Sequence, residues 1–118
     1  MLDSRGAVVS ADYLHAAMVF QHGSEVSDYR LAHALALKAA ELDPANKEAR
    51  WLAAASRDRE LMTLGKPQLY GTQFRKEGER WVLYDVDPAV TDAERAKWNV
   101  PPLAAAKARA EAMSSAKE

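Results

Sequence analysis

Apolar residues recur at helical spacing through the first half of the chain, in three runs that short polar connections separate. The first run predicts a helix that Ser10 caps and that ends near Gln21, just before Gly23. Because this run is apolar on nearly every side, we expect its helix to be central in the fold. Residues 1–10 are predicted to form a loose N-terminal segment ahead of it.

The second run predicts a helix that Ser27 or Asp28 caps and that ends near Leu42. Alanines spaced along one side give this helix a smooth strip against which another helix can pack closely. The Asp43–Asn46 turn leads into a third helix, so that the pair resembles one tetratricopeptide-type hairpin. A stacked solenoid needs about three such units. The sequence, with a single unit, therefore favours an ordinary antiparallel pair of helices.

The third helix, predicted from Asn46 to about Leu64, carries two charged residues where apolar side chains prevail. Its predicted apolar face consists of Trp51, Leu52, Ala54, Ala55, Leu61 and Met62, and its other side of Ala53, Ser56, Arg57 and Glu60. Asp58 and Arg59 project within or at the edges of the apolar face. An isolated buried charge is very costly, so each must find a partner. We therefore predict that both are largely buried and hydrogen-bonded to the segment 65–74.

A glycine and a proline stop the third helix, because Gly65 follows its last turn and Pro67 comes two residues later. The segment Gln68–Phe74 that follows is unusual for a loop, since two glutamines, a tyrosine and a threonine supply both donors and acceptors. Gly71 allows the backbone to turn there or to approach another group closely. Two interpretations stay open: a structured loop whose amides satisfy backbone groups, or a lip that binds a ligand.

Beyond Phe74 the apolar residues alternate, which predicts a β-hairpin with its turn at Glu77-Gly78. Its second strand should run from Trp81 to Val86. A two-stranded hairpin is not stable alone, so one of its faces should pack on the helices.

The C-terminal part of the chain predicts two further helices. Thr91 and Glu94 form a capping box that starts a short helix, and Pro102 leads an alanine-rich helix that frays over residues 115–118. The sequence thus predicts a single domain over residues 1–118, mainly α, with four to five helices and one β-hairpin.

Composition and charge narrow the function classes. The chain of 118 residues is 48% apolar and 28% charged, which is ordinary for a soluble globular protein. Its net charge of −1 provides no field that would attract nucleic acid or an anionic membrane, and no apolar run reaches the about 18–20 residues of a membrane span. Without cysteine there is no disulfide or thiolate chemistry. The chain as given suggests the cytoplasm, and export if a signal peptide has been removed.

Familiar catalytic and metal-binding motifs are missing. The chain has no glycine-rich phosphate loop, no nucleophile elbow and no zinc-binding helix signature. The three histidines are spaced seven and eleven residues apart, which matches no known ligand pattern, so we predict neither a metal nor a cofactor. His22 is a better functional candidate than His15, because it ends a helix near water where the helix dipole favours its cationic form.

The polar positions singled out above also form a longer pattern. It consists of Gln21-His22-Gly23, Asp28, Asp58-Arg59 and the Gly-Lys-Pro-Gln-Leu-Tyr-Gly-Thr-Gln-Phe segment 65–74. This combination resembles a bacterial family catalogued as the domain of unknown function 6624, and the likeness covers about Tyr13 to Leu103. The resemblance implies that these positions belong together. It implies no activity, because the family has none assigned, and some members carry the domain after a secretion signal, which keeps export open.

We expect the ends of the first and third helices to meet the Gln68–Gln73 loop in a cleft. The leading hypothesis is a small binding module that holds a polar ligand, or a segment of a peptide or protein partner, in an oligomeric state that the sequence leaves open. Its predicted ligand-binding residues are Gln21, Gln68, Tyr70, Thr72 and Gln73. The alternative is a small hydrolase or transferase with His22 as general base. In that case Asp58 orients the histidine, and Arg59 or Gln73 steadies an oxyanion.

Overall fold

A computed structural model describes residues 4–115 as five helices and one antiparallel two-stranded hairpin, which confirms the predicted mainly α fold. The elements are α1 (Ser4–Gln21), α2 (Val26–Leu42), α3 (Lys47–Thr63), β1 (Phe74–Glu77), β2 (Arg80–Leu83), α4 (Asp92–Lys97) and α5 (Leu103–Ser115). Residues 1–3 and 116–118, which carry parts of the predicted loose and frayed ends, lie outside the described residues. Within residues 4–115, no helix combines the length and apolarity needed to cross a membrane.

Helix α1 begins at Ser4, so the predicted loose segment over residues 4–10 and the predicted cap at Ser10 are wrong. Ser10 is fully buried, and its hydroxyl donates to the carbonyl of Ala39 at 2.7 Å. The same hydroxyl accepts from the side-chain amide of Asn46 at 3.1 Å. Ser10 therefore connects α1 to α2 and to the start of α3. Its hydrogen-bond partners lie far away in the chain, whereas a capping serine bonds residues next to it.

Helix α2, not α1, occupies the middle of the helical layer, because it packs against both α1 and α3. Leu14 and Ala17 of α1 are buried, whereas Val8 and Val19 are 62% and 69% exposed. The prediction of a central first helix is therefore wrong, since part of its apolar surface faces outwards.

The predicted alanine strip of α2 is confirmed. Ala32, Ala36 and Ala39 are completely buried, and Ala36 and Ala39 belong to the same core cluster as Ala49 and Ala53 of α3. Small side chains allow the helices to approach closely. This approach also brings the ring nitrogen Nδ1 of a histidine, His33, within 2.7 Å of the Ala53 carbonyl, so that it donates a hydrogen bond across the interface.

Helix α3 is buried on both sides, so the prediction of a single apolar face is wrong. Buried residues include Ala53, Ser56 and Glu60 from the side opposite the predicted apolar face as well as Leu52 and Leu61 from that face. The reason is that α2 covers one side while the segment after the helix folds back over another. Trp51, by contrast, remains 36% exposed at its edge.

The hairpin turns at Gly78 and Glu79, one residue later than predicted. Gly78 has φ +62°, which fits a two-residue turn with glycine first. Strand β2 packs against α5, where the Ser114 hydroxyl accepts from the main-chain N–H of Trp81 at 2.8 Å. The hairpin is therefore supported by the last helix.

Candidate functional site

The carboxylate of Asp58 organises the segment that follows α3. Asp58 is completely buried, and one of its oxygens accepts from the N–H groups of Leu69 (2.8 Å) and Tyr70 (3.0 Å). The other oxygen accepts from the N–H (3.1 Å) and the hydroxyl (2.6 Å) of Thr72. The prediction that Asp58 is buried and bonded to this loop is confirmed. Burial raises the pKa of Asp58, while the hydrogen bonds from Thr72, Tyr70 and Leu69 oppose that rise.

The loop makes these contacts because its backbone bends at Gly71. Gly71 has φ +87°, a conformation that residues with a β-carbon rarely adopt. A β-carbon there would lie 3.6 Å from Leu103, an ordinary contact, so the dihedral angle and not the space requires glycine. Successive N–H groups that converge on one anion form a concave binding site of the kind called a nest. In this protein the anion is its own Asp58.

Gln68 fastens the same loop to the hairpin. Its side chain is completely buried, and its Nε2 donates to the carbonyls of Gln73 and Tyr84, both at 2.9 Å. Its Oε1 accepts from the N–H of Gln73 at 2.9 Å. Geometry therefore supports a structural role for Gln68 and gives no support to its predicted contact with a ligand.

A second buried charge, Arg95, holds the loop from the opposite side. It is 2% exposed, and its Nε donates to the carbonyl of Tyr70 at 3.0 Å. Its Nη1 donates at 3.0 Å to Asp92, whose oxygen also accepts from the N–H of Leu103. Sequence reasoning missed this residue, because an arginine three positions after an aspartate on a short helix looks like a solvated pair. The loop is thus clamped between α3 and α4.

The side chains of Tyr70 and Gln73 keep polar atoms that no residue within 4–115 bonds. The Tyr70 ring is half-buried and lies 6.2 Å from the Trp98 ring. Burial, with the charges of Glu94 and Asp58, raises the pKa of its hydroxyl, against an opposing effect of Arg57. Within residues 4–115 that hydroxyl has no hydrogen-bond partner. Gln73 donates to the Thr72 hydroxyl at 3.2 Å, and its own side-chain oxygen is likewise unbonded there.

The other predicted site residues do not converge on Asp58. His22 is exposed, and no hydrogen bond joins its ring to any residue in the described part of the chain. Gln21 is buried, and its Oε1 has no partner there. Arg59 is partly exposed and stacks at 5.2 Å over the Tyr29 ring instead of bonding the loop, so that part of the prediction is wrong. The structure therefore does not assemble the proposed pair of His22 and Asp58.

A cleft of about 60 Å³ opens beside the loop, on the side of α5. It is lined by Trp51, Gly71, Thr72, Phe74, Val100, Pro101, Ala105, Ala106 and Arg109. Apolar groups dominate this lining, and Arg109 supplies its charge, with the guanidinium 5.6 Å from the centre of the Phe74 ring. Of the predicted ligand-binding residues, Thr72 lines the cleft. Its N–H and hydroxyl remain bonded to Asp58.

No known protein family, no curated protein and no solved structure matches the chain. The resemblance to the domain of unknown function 6624 stays a prediction that rests on its sequence pattern. Residues 4–115 contain no group of three or more histidine, aspartate or glutamate side chains placed to hold a metal ion.

Proposed function

We propose that the protein is a small binding module that holds a peptide segment of a partner by taking one aliphatic side chain into the cleft beside Gly71 and Thr72. The observation that carries this proposal is the lining of the cleft: apolar walls formed by three separate parts of the chain, with one cation, Arg109, at the Phe74 ring. Ligand sites usually combine apolar walls with a few placed polar groups.

The size of the cleft indicates that it holds one side chain and not a larger ligand. Pockets for drug-sized molecules measure roughly 300–1,000 Å³. A dry cavity of about 150 Å³ accommodates benzene, and a water needs about 10–15 Å³. A cleft of about 60 Å³ therefore suits one aliphatic side chain that belongs to a longer molecule.

Preorganisation also supports binding. Asp58 and Arg95 fix the loop from two sides before any ligand arrives, so little backbone freedom is lost on association. The same contacts give no support to the alternative of a hydrolase or transferase, because the Asp58 oxygens are occupied by loop donors and His22 is absent from the cleft lining.

The test is a titration of the isotope-labelled protein with N-acetyl-leucine, followed by NMR. We expect amide shifts at Gly71 and Thr72 and a shift of the Trp51 indole, with a weaker response to N-acetyl-leucine amide, which lacks the carboxylate for Arg109. Ala105→Phe, which fills the cleft, should abolish the response. Ala104→Phe, at an exposed neighbour outside the lining, is the matched control and should leave it intact. Shifts that persist in Ala105→Phe would disprove the cleft as the site.

A further inference from the structure

The hairpin has a main-chain edge that the rest of the described chain does not use. Tyr84 donates from its N–H to the carbonyl of Gln73 at 3.2 Å, and the strands pair in register from there. In an antiparallel ladder, hydrogen-bonded and non-hydrogen-bonded pairs alternate. Arg75 therefore turns its N–H and C=O towards β2, whereas Phe74 and Lys76 turn theirs outwards.

The two edges of this sheet differ. On β2, the outward N–H of Trp81 is bonded to the Ser114 hydroxyl of α5, which also lies 3.2 Å from the Trp81 carbonyl. On β1, no residue within 4–115 bonds the main-chain groups of Phe74 or Lys76 from outside the hairpin. Edge strands left unpaired in this way accept extended peptides as an additional strand.

The open edge borders the cleft. Phe74 contributes its backbone to the edge and also lines the cleft, where its ring lies 5.6 Å from the guanidinium of Arg109. Phe74, Lys76 and Trp81 share one face of the hairpin, because side chains alternate along a strand and opposite residues point the same way. A peptide laid along β1 would present every second side chain to this face, at the mouth of the cleft.

The charges on that face select an acidic peptide. The Lys76 ammonium lies 5.8 Å from the centre of the Trp81 ring, and Arg109 lies over Phe74. Among the described residues no carboxylate is within ion-pair distance of either cation. Pairing β1 antiparallel with a second copy, so that Phe74 of each copy lies opposite Lys76 of the other, would instead set Arg75 against the copy's Arg75, and like charges directly opposite each other are unfavourable.

We infer that β1 binds an extended acidic peptide as a third strand, with main-chain hydrogen bonds to Phe74 and Lys76, one aliphatic side chain in the cleft, and acidic side chains two residues away beside Lys76 and Arg109. This inference rests on the proposed function, since it uses the same cleft, and adds how the partner's backbone and charge are recognised.

The probe is the fluorescein-labelled peptide acetyl-Glu-Thr-Leu-Thr-Glu-amide, measured by fluorescence anisotropy. N-methylation is placed either on the Leu and Glu residues or on the two Thr residues. In an extended peptide paired with β1, only one of these two sets of residues, either Leu with the Glu residues or the Thr residues, points its N–H groups at β1. We expect one class to weaken binding by about tenfold or more and the other to leave it nearly unchanged. Loss on the Leu and Glu class would indicate antiparallel addition, and loss on the Thr class parallel addition.

A second experiment tests whether the protein selects the acidic side chains of the peptide. Replacing both Glu residues by Gln should weaken binding several-fold, and Lys76→Gln should remove most of that difference. Lys38→Gln, an exposed lysine on α2, is the matched control and should change nothing. Because both lysines are exposed, the thermal midpoint of either variant should match that of the parent protein.

Three results would overturn the inference. If the two methylation patterns weaken binding equally and Ala105→Phe still abolishes it, the peptide binds in the cleft but does not add to β1 as a strand. Strand addition would also be refuted, and binding in the cleft retained, if N-acetyl-leucine binds but the unmodified peptide does not. A concentration-dependent dimer that competes with the peptide for β1 would assign the edge to a second copy. Failure of N-acetyl-leucine itself would instead count against the proposed function.

Discussion

Asp58 takes the place that an external anion would occupy in a loop of converging N–H groups. All of its hydrogen bonds come from residues 11 to 14 positions later, so one side chain sets the path of the chain from α3 to the hairpin. Hydrogen bonds to charged groups are each worth about 1.5–3 kcal/mol, and a buried donor left without a partner costs about 1–3 kcal/mol.

Asp58→Ala should therefore destabilise the protein by about 3–5 kcal/mol, because three main-chain N–H groups lose their acceptor. Formate fits the vacated position, so sodium formate should raise the thermal midpoint of this variant more than sodium chloride of equal ionic strength. Asp58→Asn is the control, since its amide fills the space and formate cannot enter. Identical responses of the two variants to formate would refute the anion-site description.

Glu60 gives a prediction about pH. It is buried, but hydrogen bonds from Arg30 (2.8 Å) and Arg57 (3.0 Å) outweigh desolvation and lower its pKa from an ordinary value of 4.5. A depressed folded-state pKa stabilises the protein above about pH 4.5, and the stabilisation is lost as the pH falls through the folded-state value.

Glu60→Gln should accordingly cost about 1–2 kcal/mol at pH 7, a figure reduced for the exposure of both arginines, and progressively less in acid. Urea unfolding at pH 7 and pH 3 measures this difference. Glu41→Gln, which removes an exposed pair with Lys38, should cost less than about 0.5 kcal/mol at either pH. A cost for Glu60→Gln that stays constant with pH would contradict the assigned ionisation.

The residues that could be predicted are those whose partners are close in sequence. Asp58 stood out as a charge among apolar positions, and its donors lie in the next segment of the chain. Arg95 was missed because its acceptor, the Tyr70 carbonyl, lies 25 residues earlier. Arg109 joins the cleft only because α5 folds back onto the hairpin. Arg59 was misjudged because its long side chain reaches out over Tyr29, which helical periodicity cannot show.

At the scale of elements, periodicity predicted the helices, and cap residues predicted the starts of two of them. Asn46 and Thr91 cap α3 and α4 as expected, accepting from the N–H groups three residues later. The N-cap of α2 is Glu25, so the predicted cap at Ser27 or Asp28 is wrong. Asp28 instead accepts from the N–H of Glu25 as the second member of the capping box. The buried sides of α3 escaped prediction, since they depend on which elements pack around the helix.

Gly71 permits a prediction about the loop as an element. Gly71→Ala should destabilise the protein by about 1–2 kcal/mol, because alanine disfavours its positive φ. Gly65→Ala is the control, at a similar φ of +75° in open space but away from the Asp58 contacts. Both variants should lose stability in urea unfolding. Only Gly71→Ala should also shift the NMR signals of the Thr72 and Tyr70 amides.

At the scale of the whole molecule, the overall shape is elongated and not spherical. Its dimensions are 47 × 31 × 29 Å, and its radius of gyration of 15.0 Å exceeds the about 13.5 Å typical of a compact chain of this length. Among the described elements, close packing forms two groups, α1 with α2 and α3, and the hairpin with α5. The clamped loop connects them through Asp58 on one side and Gln68 on the other.

This layout predicts how the molecule opens. In Asp58→Ala, amide hydrogen exchange should accelerate more in the hairpin and α5 than in α2 and α3, because the variant cuts the connection but leaves the helical core intact. Mass spectrometry of peptides from each part measures this. Uniform acceleration through residues 4–115 would show that the two groups unfold as one unit.

The contact of Ser114 with β2 bears on how many copies of the protein could join edge to edge through the hairpin. Within residues 4–115, α5 packs against β2 and bonds its outward edge at Trp81, so strand addition to this sheet would start from β1. Two copies that met through β1 would form a closed pair, and the ladder would end there instead of growing into a fibre. In such a pair, the Ser114 hydroxyl would keep the N–H of Trp81 occupied and closed to a further strand.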